Sequence, residues 1–289
     1  MKKIKQLLKN FLSYFNIRIN LYNNSTKIRF CSHELVLNRN IEPFQFLDLY
    51  PQVRTKEPLY LNIGGGDFYH PFWHNLDKLS YGYGSNENVH IDFDLVNNKK
   101  FPIHNNSLEI VYTSHVIEHL RNVDVNNMIK EVYRCLKPSG YFRITCPNID
   151  LEYEAYKNND KEFFYWCNKE LSVSQRFLDH IATGLSQSSG SNIVEEISDE
   201  ELRKIFLQLP KEEAFDYLCK IIPIKHQRKF PENHINWFNY DKLEKLLKQA
   251  GFETIYRSSF GQSKSSKLRD IKNFDTTLPT CSIYVEARK

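Results

Sequence analysis

The run Leu59-Tyr60-Leu61-Asn62-Ile63 passes directly into Gly64-Gly65-Gly66, and this junction constrains the fold more than any other feature of the chain. A short, largely apolar run ended by glycines reads as a buried strand whose end either turns sharply or lets backbone approach a ligand. The same rhythm continues downstream. Trp73-His74-Asn75-Leu76-Asp77, Val89-His90-Ile91-Asp92-Phe93-Asp94 and Leu108-Glu109-Ile110-Val111-Tyr112-Thr113 are further short strands closed by polar turns.

The fourth strand runs into a helix whose apolar residues Val116, Leu120, Val123, Met128, Ile129, Val132 and Leu136 recur at helical spacing. In such a helix His115 and His119 stand four apart and share a face of the first turns. Lys137-Pro138-Ser139-Gly140 stops it, and Tyr141 to Cys146 is a fifth strand. Later come a helix from Tyr240 to Ala250 ended by Gly251, a strand from Phe252 to Tyr256, and a last strand from Cys281 to Ala287. Strands alternating with helices predict a doubly wound α/β domain around a mostly parallel sheet.

Three segments follow from this rhythm. Residues 58–149 and 234–289 form the α/β core, and residues 1–57 are an N-terminal extension. Residues 150–233, rich in Tyr, Phe, Lys and Glu at helical spacing, are a helical insertion with a mobile Ser/Gly-rich loop at Ser186 to Ser191. The insertion is placed to act as a lid over an acceptor site, with a homodimer interface as the competing use of its surface. Tyr153, Tyr156, Tyr165 and Trp166 could stack on a sugar or fill a core.

Within the extension, Ile4, Leu7, Leu8, Phe11, Leu12 and Phe15 form one stripe beside Lys2, Lys3, Lys5 and Lys9. Residues 1–20 therefore read as a basic amphipathic helix, either packed on the domain or offered to a membrane surface or partner protein. Lys9 and Asn10 interrupt any secretory apolar region, so a cytoplasmic protein is expected, with peripheral contact to the inner membrane face as a variant.

Composition narrows the function. The 289 residues are 41% hydrophobic and 26% charged, too charged for a membrane bundle. A net charge of +4, spread among 35 acidic residues, gives no basic face for nucleic acid. Cysteines at 31, 135, 146, 167, 219 and 281 include no C-x-x-C pair, which points to reduced, mostly buried thiols.

Ligands of open α/β sheets bind at the carboxyl ends of the strands. There the chain places Gly64, Gly65 and Gly66, then Asp77, then Asp92 and Asp94. A nicotinamide dinucleotide fingerprint would need glycine at position 69, which is Tyr69, and an acid farther along than Asp77, so a dehydrogenase is a minor alternative. Leu61 to Gly66, Trp73 to Asp77, Phe101 to Val111, Glu118-His119-Leu120, Glu131 to Gly140 and Gly251-Phe252 together resemble class I S-adenosylmethionine-dependent methyltransferases.

That resemblance covers about Leu59 to Asn148 and His234 to Lys289. It implies a Rossmann-like seven-stranded sheet with an antiparallel last strand, S-adenosylmethionine as cofactor and S-adenosylhomocysteine as product. It further implies that Asn62, Gly64, Gly65 and Gly66 face the methionine part, Asp77 the ribose, and Asp92, Asp94 and Leu95 the adenine. Ser114 and His115 would lie beneath the sulfonium. The chain departs from the pattern at Gly65, where cysteine is frequent, and between Gly66 and Asp77, where a short aromatic stretch implies a stunted first helix. The resemblance is closest to a bacterial subgroup linked to sugars and surface polysaccharides.

A proton acceptor is sought among His115, His119 and His234, since histidine titrates near neutrality. The run His115-Val116-Ile117-Glu118-His119 does not match H-E-x-x-H, so no metal is expected. The loop Gly261 to Arg269 combines hydroxyls with three cations and suits an anionic acceptor such as a phosphorylated or nucleotide-linked sugar, methylated at oxygen. The rival reading is a catalytically silent cofactor-binding or scaffold protein.

Overall fold

The computed structural model describes residues 46–51, 56–79, 88–97 and 99–289, together with the strand backbone of 17–21, 25–30 and 33–38. The chain divides into two compact units, Met1–Val53 and Arg54–Lys289.

The first unit contains an antiparallel three-stranded sheet of β1 (Ile17–Leu21), β2 (Ser25–Phe30) and β3 (His33–Asn38), with Ile19 opposite Ile28 and Ile28 opposite Leu35. This corrects the expectation of a helix over residues 1–20, since residues 17–20 belong to a strand. The alternation Ile17-Arg18-Ile19-Asn20-Leu21 has the period of a strand and overrides the helical spacing that stops at Phe15. The apolar stripe itself, Ile4 to Phe15, lies outside the described residues, as does the docking role expected of it.

The second unit is built on a seven-stranded sheet in the order β6-β5-β4-β7-β8-β10-β9. Its strands are β4 (Tyr60–Ile63), β5 (His74–Asp77), β6 (Ile91–Asp92), β7 (Leu108–Ser114), β8 (Leu136–Pro147), β9 (Thr254–Ser258) and β10 (Ser282–Arg288). Only β10 runs antiparallel to its neighbours, pairing with β8 and β9, which is the doubly wound arrangement the sequence implied. One face of the central strands β4, β7 and β8, bearing the fully buried Leu61, Ile63, Val111, Phe142 and Ile144, packs in an apolar core with the helices, while the opposite face carries Asn62, Tyr112 and Arg143, with Phe274 packed on Tyr112.

Two elements around the sheet differ from expectation in ways that shape the site. Between Gly64 and Trp73 there are only turns, not a stunted helix. Pro71 breaks helical bonding, and Phe68, His70 and Trp73 pack instead around Phe274, with the Trp73 and Phe274 ring centroids 4.9 Å apart.

The helix after β7 also starts late. A 3-10 turn spans Ile117–His119, and helix α1 (Asn122–Cys135) follows only after Leu120 and Arg121 adopt extended backbone. His115 has φ +52°, so the chain turns sharply at the strand end. Hence His115 and His119 do not share a helix face, and Val123, expected on the buried stripe, is exposed.

The segment between β8 and the last helix folds into α2 (Ile149–Lys157), α3 (Val173–Ala182), α4 (Asp199–Gln208), α5 (Lys211–Ile221) and α6 (Ile224–Lys229). These helices share an apolar cluster of their own, including Phe164, Phe177, Leu202, Phe215 and Leu218. The Ser/Gly-rich loop is not free as expected: Ser186 Oγ donates to the Gln175 carbonyl, and Ser189 Oγ to that of Thr183. Helix α7 (Tyr240–Ala250) then returns the chain to the sheet, capped at its start by Asn239 Oδ1 accepting from the Lys242 amide and ended by Gly251 at φ +109°.

Candidate active site

A cavity of about 730 Å³ opens at the carboxyl ends of β4, β5 and β7, a size that accommodates a cofactor-sized ligand. Of the residues singled out from sequence, Gly64, Gly65, Gly66, Asp77, Asp94, Leu95, Ser114, His115 and His119 line it. Asn62, Asp92 and His234 do not. Asn62 is buried beneath the glycine turn, where its Nδ2 donates to Asn75 Oδ1 at 3.1 Å. Asp92 Oδ1 accepts from the Leu79 amide, and His234 stands behind His119.

The glycines are dictated by geometry. A Cβ on Gly64, which has φ +70°, would stand 2.2 Å from Val116 Cγ2, and one on Gly65 would stand 2.6 Å from Asn75 Cγ. Gly66, at φ +49°, has nothing within 4 Å of where its Cβ would be, so that position opens onto free space. The turn is fastened from the next strand, since Asp77 Oδ2 accepts from the Gly66 amide at 2.9 Å and Oδ1 from that of Lys78 at 2.8 Å. Each oxygen keeps a lone pair for a ligand hydroxyl. Ser114 Oγ, buried on the same wall, meets the geometric criteria for a hydrogen bond with no partner among the described residues. A cradle open at Gly66, a carboxylate at its edge and an orphaned hydroxyl fit a bulky, hydroxyl-bearing zwitterion such as S-adenosylmethionine.

Asp94 is held by Lys78 Nζ at 2.9 Å and the Val96 amide at 3.0 Å. Burial works to raise its pKa, but the bonds to Lys78 and the Val96 amide, with the nearby Lys78 and Arg228 charges, together outweigh it and keep the carboxyl low. Phe93, Leu95 and Val96 add an apolar surface beside it.

The opposite wall was not legible locally. Gln227, Arg228, Lys229 and Pro231 reach the cavity from the end of the insertion, and with Lys78 they make its rim cationic. The basic run Lys225 to Lys229 was the available signal. By contrast, the loop Gly261 to Arg269 does not line the cavity: Lys264 Nζ lies over the Tyr256 ring and Arg269 Nε donates to the Ser263 carbonyl. Tyr153 and Tyr156 pack against Phe177 and Phe206, and neither they nor Tyr165 or Trp166 touch the cavity. Core packing, the alternative to sugar stacking, is what the structure shows for Tyr153 and Tyr156.

Behind His115 and His119 lies a polar cluster. The Ile235 amide donates to the Glu118 carbonyl at 2.9 Å, which lays the segment after the insertion against the 3-10 turn and brings His234 to His119. Glu118 is 1% exposed, and its Oε2 accepts no hydrogen bond among the described residues. His115 Nδ1 stands 3.2 Å from Glu118 Oε1, while His115 Nε2 meets Ser282 Oγ at 2.8 Å. Burial would raise the Glu118 pKa, but the contact with His115 and the neighbouring imidazoles hold it down at about 2. Burial, and then the adjoining His119 and His180 rings, push His234 down to about 3, so its ring is neutral.

The methyltransferase domain model matches residues 47–257 of this chain. No curated protein matches it. Among solved structures, a SAM-dependent methyltransferase of Thermotoga maritima is 14% identical, with 86% of this chain and 88% of that one covered and a TM-score of 0.37. One from Archaeoglobus fulgidus is also 14% identical, over 84% of this chain and 91% of that one, with a TM-score of 0.38. One from Mesorhizobium loti shares 14% identity over 86% of this chain and 98% of that one, with a TM-score of 0.36.

Proposed function

This chain, an S-adenosylmethionine-dependent methyltransferase, belongs to the methyltransferase domain family, and from that membership we propose that it methylates an oxygen of a small anionic acceptor, such as a phosphorylated or nucleotide-linked sugar. The observation that carries this reading is the cavity itself, with the open glycine turn and Asp77 at one end and the cations Lys78, Arg228 and Lys229 with His115 and His119 elsewhere on its wall.

S-adenosylmethionine supplies a methyl group already activated on a sulfonium. Gly64, Gly65, Gly66 and Asp77 would hold it, with Asp94, Leu95, Phe93 and Val96 around the adenine, and Asn62 and Asp92 supporting these groups from behind. What the protein adds is alignment, which can supply roughly 7 to 11 kcal/mol, and a route for one proton, worth about 10²- to 10⁴-fold. Arg228 and Lys229 would draw in and orient the anionic part of the acceptor. The acceptor proton leaves toward the histidine cluster, where His119 is on the cavity wall and His115 and His234 adjoin it. The insertion, which contributes Gln227 to Pro231, would shield the site from water as a lid.

Isothermal titration with S-adenosylmethionine and S-adenosylhomocysteine tests the cofactor, and release of S-adenosylhomocysteine in the presence of phosphorylated and nucleotide-linked sugars tests the acceptor. Micromolar cofactor binding that is lost in Gly64→Arg is expected. Absence of binding by folded wild-type protein overturns the reading. Turnover restricted to neutral acceptors, or unaffected by Arg228→Ala with Lys229→Ala, overturns the anionic acceptor.

A further inference from the structure

We propose that Glu118, His119 and His234 form a binding site for one divalent transition-metal ion at the wall of the cavity. One donor atom from each of these residues lies within 4.8 Å of the other two. Three ligands at about 2.0–2.2 Å from a tetrahedral ion stand about 3.4 Å apart, so the side chains need to close by roughly 1 Å on loading.

Three observations separate this cluster from an ordinary polar contact. The first is the carboxylate. Glu118 is buried, its Oε1 meeting only the His115 ring at 3.2 Å and its Oε2 having no hydrogen-bond partner among the described residues, a costly state for a charged group unless a cation completes it.

The second is the orientation of the two rings. His119 Nδ1 lies 3.2 Å from the Asn233 carbonyl and His234 Nδ1 lies 2.8 Å from that of His180. A carbonyl only accepts, so each Nδ1 carries the proton and each Nε2 keeps its lone pair. Imidazoles that donate one ring N–H to a backbone carbonyl while presenting the other nitrogen are the arrangement metal ligands adopt.

The third is rigidity. The His234 amide donates to Thr183 Oγ1 and its carbonyl accepts from the Thr183 amide, while the His119 carbonyl accepts from Gln227 Nε2. His115, wedged between Glu118 and Ser282, orients the carboxylate as a positioning residue.

Two imidazoles and one carboxylate favour zinc, iron(II) or cobalt(II) over magnesium or calcium, and three protein donors leave coordination positions for water or an acceptor oxygen. The existence of the site is independent of the reaction; its use to bind and polarise the acceptor rests on the functional reading above. On that use His119 and His234 hold the ion, and the acceptor proton leaves by way of His115, which also lines the cavity, to solvent. The new bond joins acceptor oxygen to methyl carbon, and the carbon–sulfur bond breaks with its electron pair left on sulfur.

The test uses the full-length chain, freed of any affinity tag and stripped with chelator, titrated with cobalt(II) and followed by its visible absorption. One equivalent of cobalt(II) should bind, with the intense bands of four- or five-coordination. Both bands and binding should be lost in His234→Ala and in Glu118→Gln, each checked for folding by circular dichroism. S-adenosylhomocysteine titration of the same samples should give unchanged affinity. Failure of wild-type protein to bind cobalt(II), or bands that persist in both variants, overturns the site whatever the variants' stability. Cofactor binding without metal binding overturns this proposal alone, whereas metal binding without cofactor binding overturns the functional reading and leaves the site standing.

Discussion

His119 and His234 meet edge to face, their ring centroids 4.7 Å apart and their planes at 74°. His119 lies in the turn after β7 and His234 directly after the insertion, so that turn and the return of the chain to the core are joined at the cavity wall. Truncating His234 should therefore affect the wall from behind. His234→Ala is expected to lower kcat by about 10²-fold or more, the scale of a lost proton route, with little change in cofactor affinity. Steady-state kinetics beside isothermal titration checks both.

The glycine turn offers a sharper contrast. Gly64→Ala forces a methyl group against Val116 at a left-handed backbone position and should destabilise the fold as well as block binding. Gly66→Ala meets no protein atom, so its folding cost should be only about 1–2 kcal/mol, from backbone strain. A Gly66 variant that is stable yet binds S-adenosylhomocysteine much more weakly would place the cofactor over that residue; unchanged binding would remove it from there.

Asp77 fastens the turn and would meet the cofactor's hydroxyls. Asp77→Ala removes a charge-assisted hydrogen bond to the cofactor, about 1.5–3 kcal/mol, so the dissociation constant should rise roughly 10- to 150-fold. Titration calorimetry of the variant reads this directly.

Outside the cavity lining, Arg143 is fully buried between Asp275, at 2.6 Å, and Glu286, at 2.8 Å. Removing Asp275 leaves the buried Arg143 Nε–H and one Nη2–H without their acceptor, while Glu286 still balances the charge. Asp275→Ala should cost about 1–3 kcal/mol in urea unfolding, while cofactor affinity of the fraction still folded stays near wild type.

His70 ties stability to pH. Burial pushes its pKa down to about 4, and its Nδ1 accepts from the Phe72 amide, which requires that nitrogen to be unprotonated. Between about pH 4 and the unfolded value near 6.5 the unfolded chain holds a proton that the folded one lacks, so stability rises with pH across this window. The stabilisation is complete above about 6.5 and is lost as pH falls toward 4. Its slope is at most about 1.4 kcal/mol per pH unit, and His70→Gln should flatten the profile of unfolding free energy by that amount.

The sequence by itself determined what is local. Each strand of the seven-stranded sheet was readable because an apolar run and its terminating turn occupy adjacent residues, and Gly64 and Asp77 could be placed at the cavity because strand ends are where such sheets bind ligands, whereas Ser114 came from the family resemblance. The three strands near the start were also present in the pattern, but a longer helical spacing just before them competed for the same reading. Tertiary structure alone decided that His234 joins Glu118 and His119, that Arg228 and Lys229 line the cavity while the loop 261–269 does not, and that Tyr153 and Tyr156 fill a core. Periodicity reports which face of an element is apolar. It does not report which distant element covers that face, and every one of those assignments depends on contacts between segments separated by tens of residues.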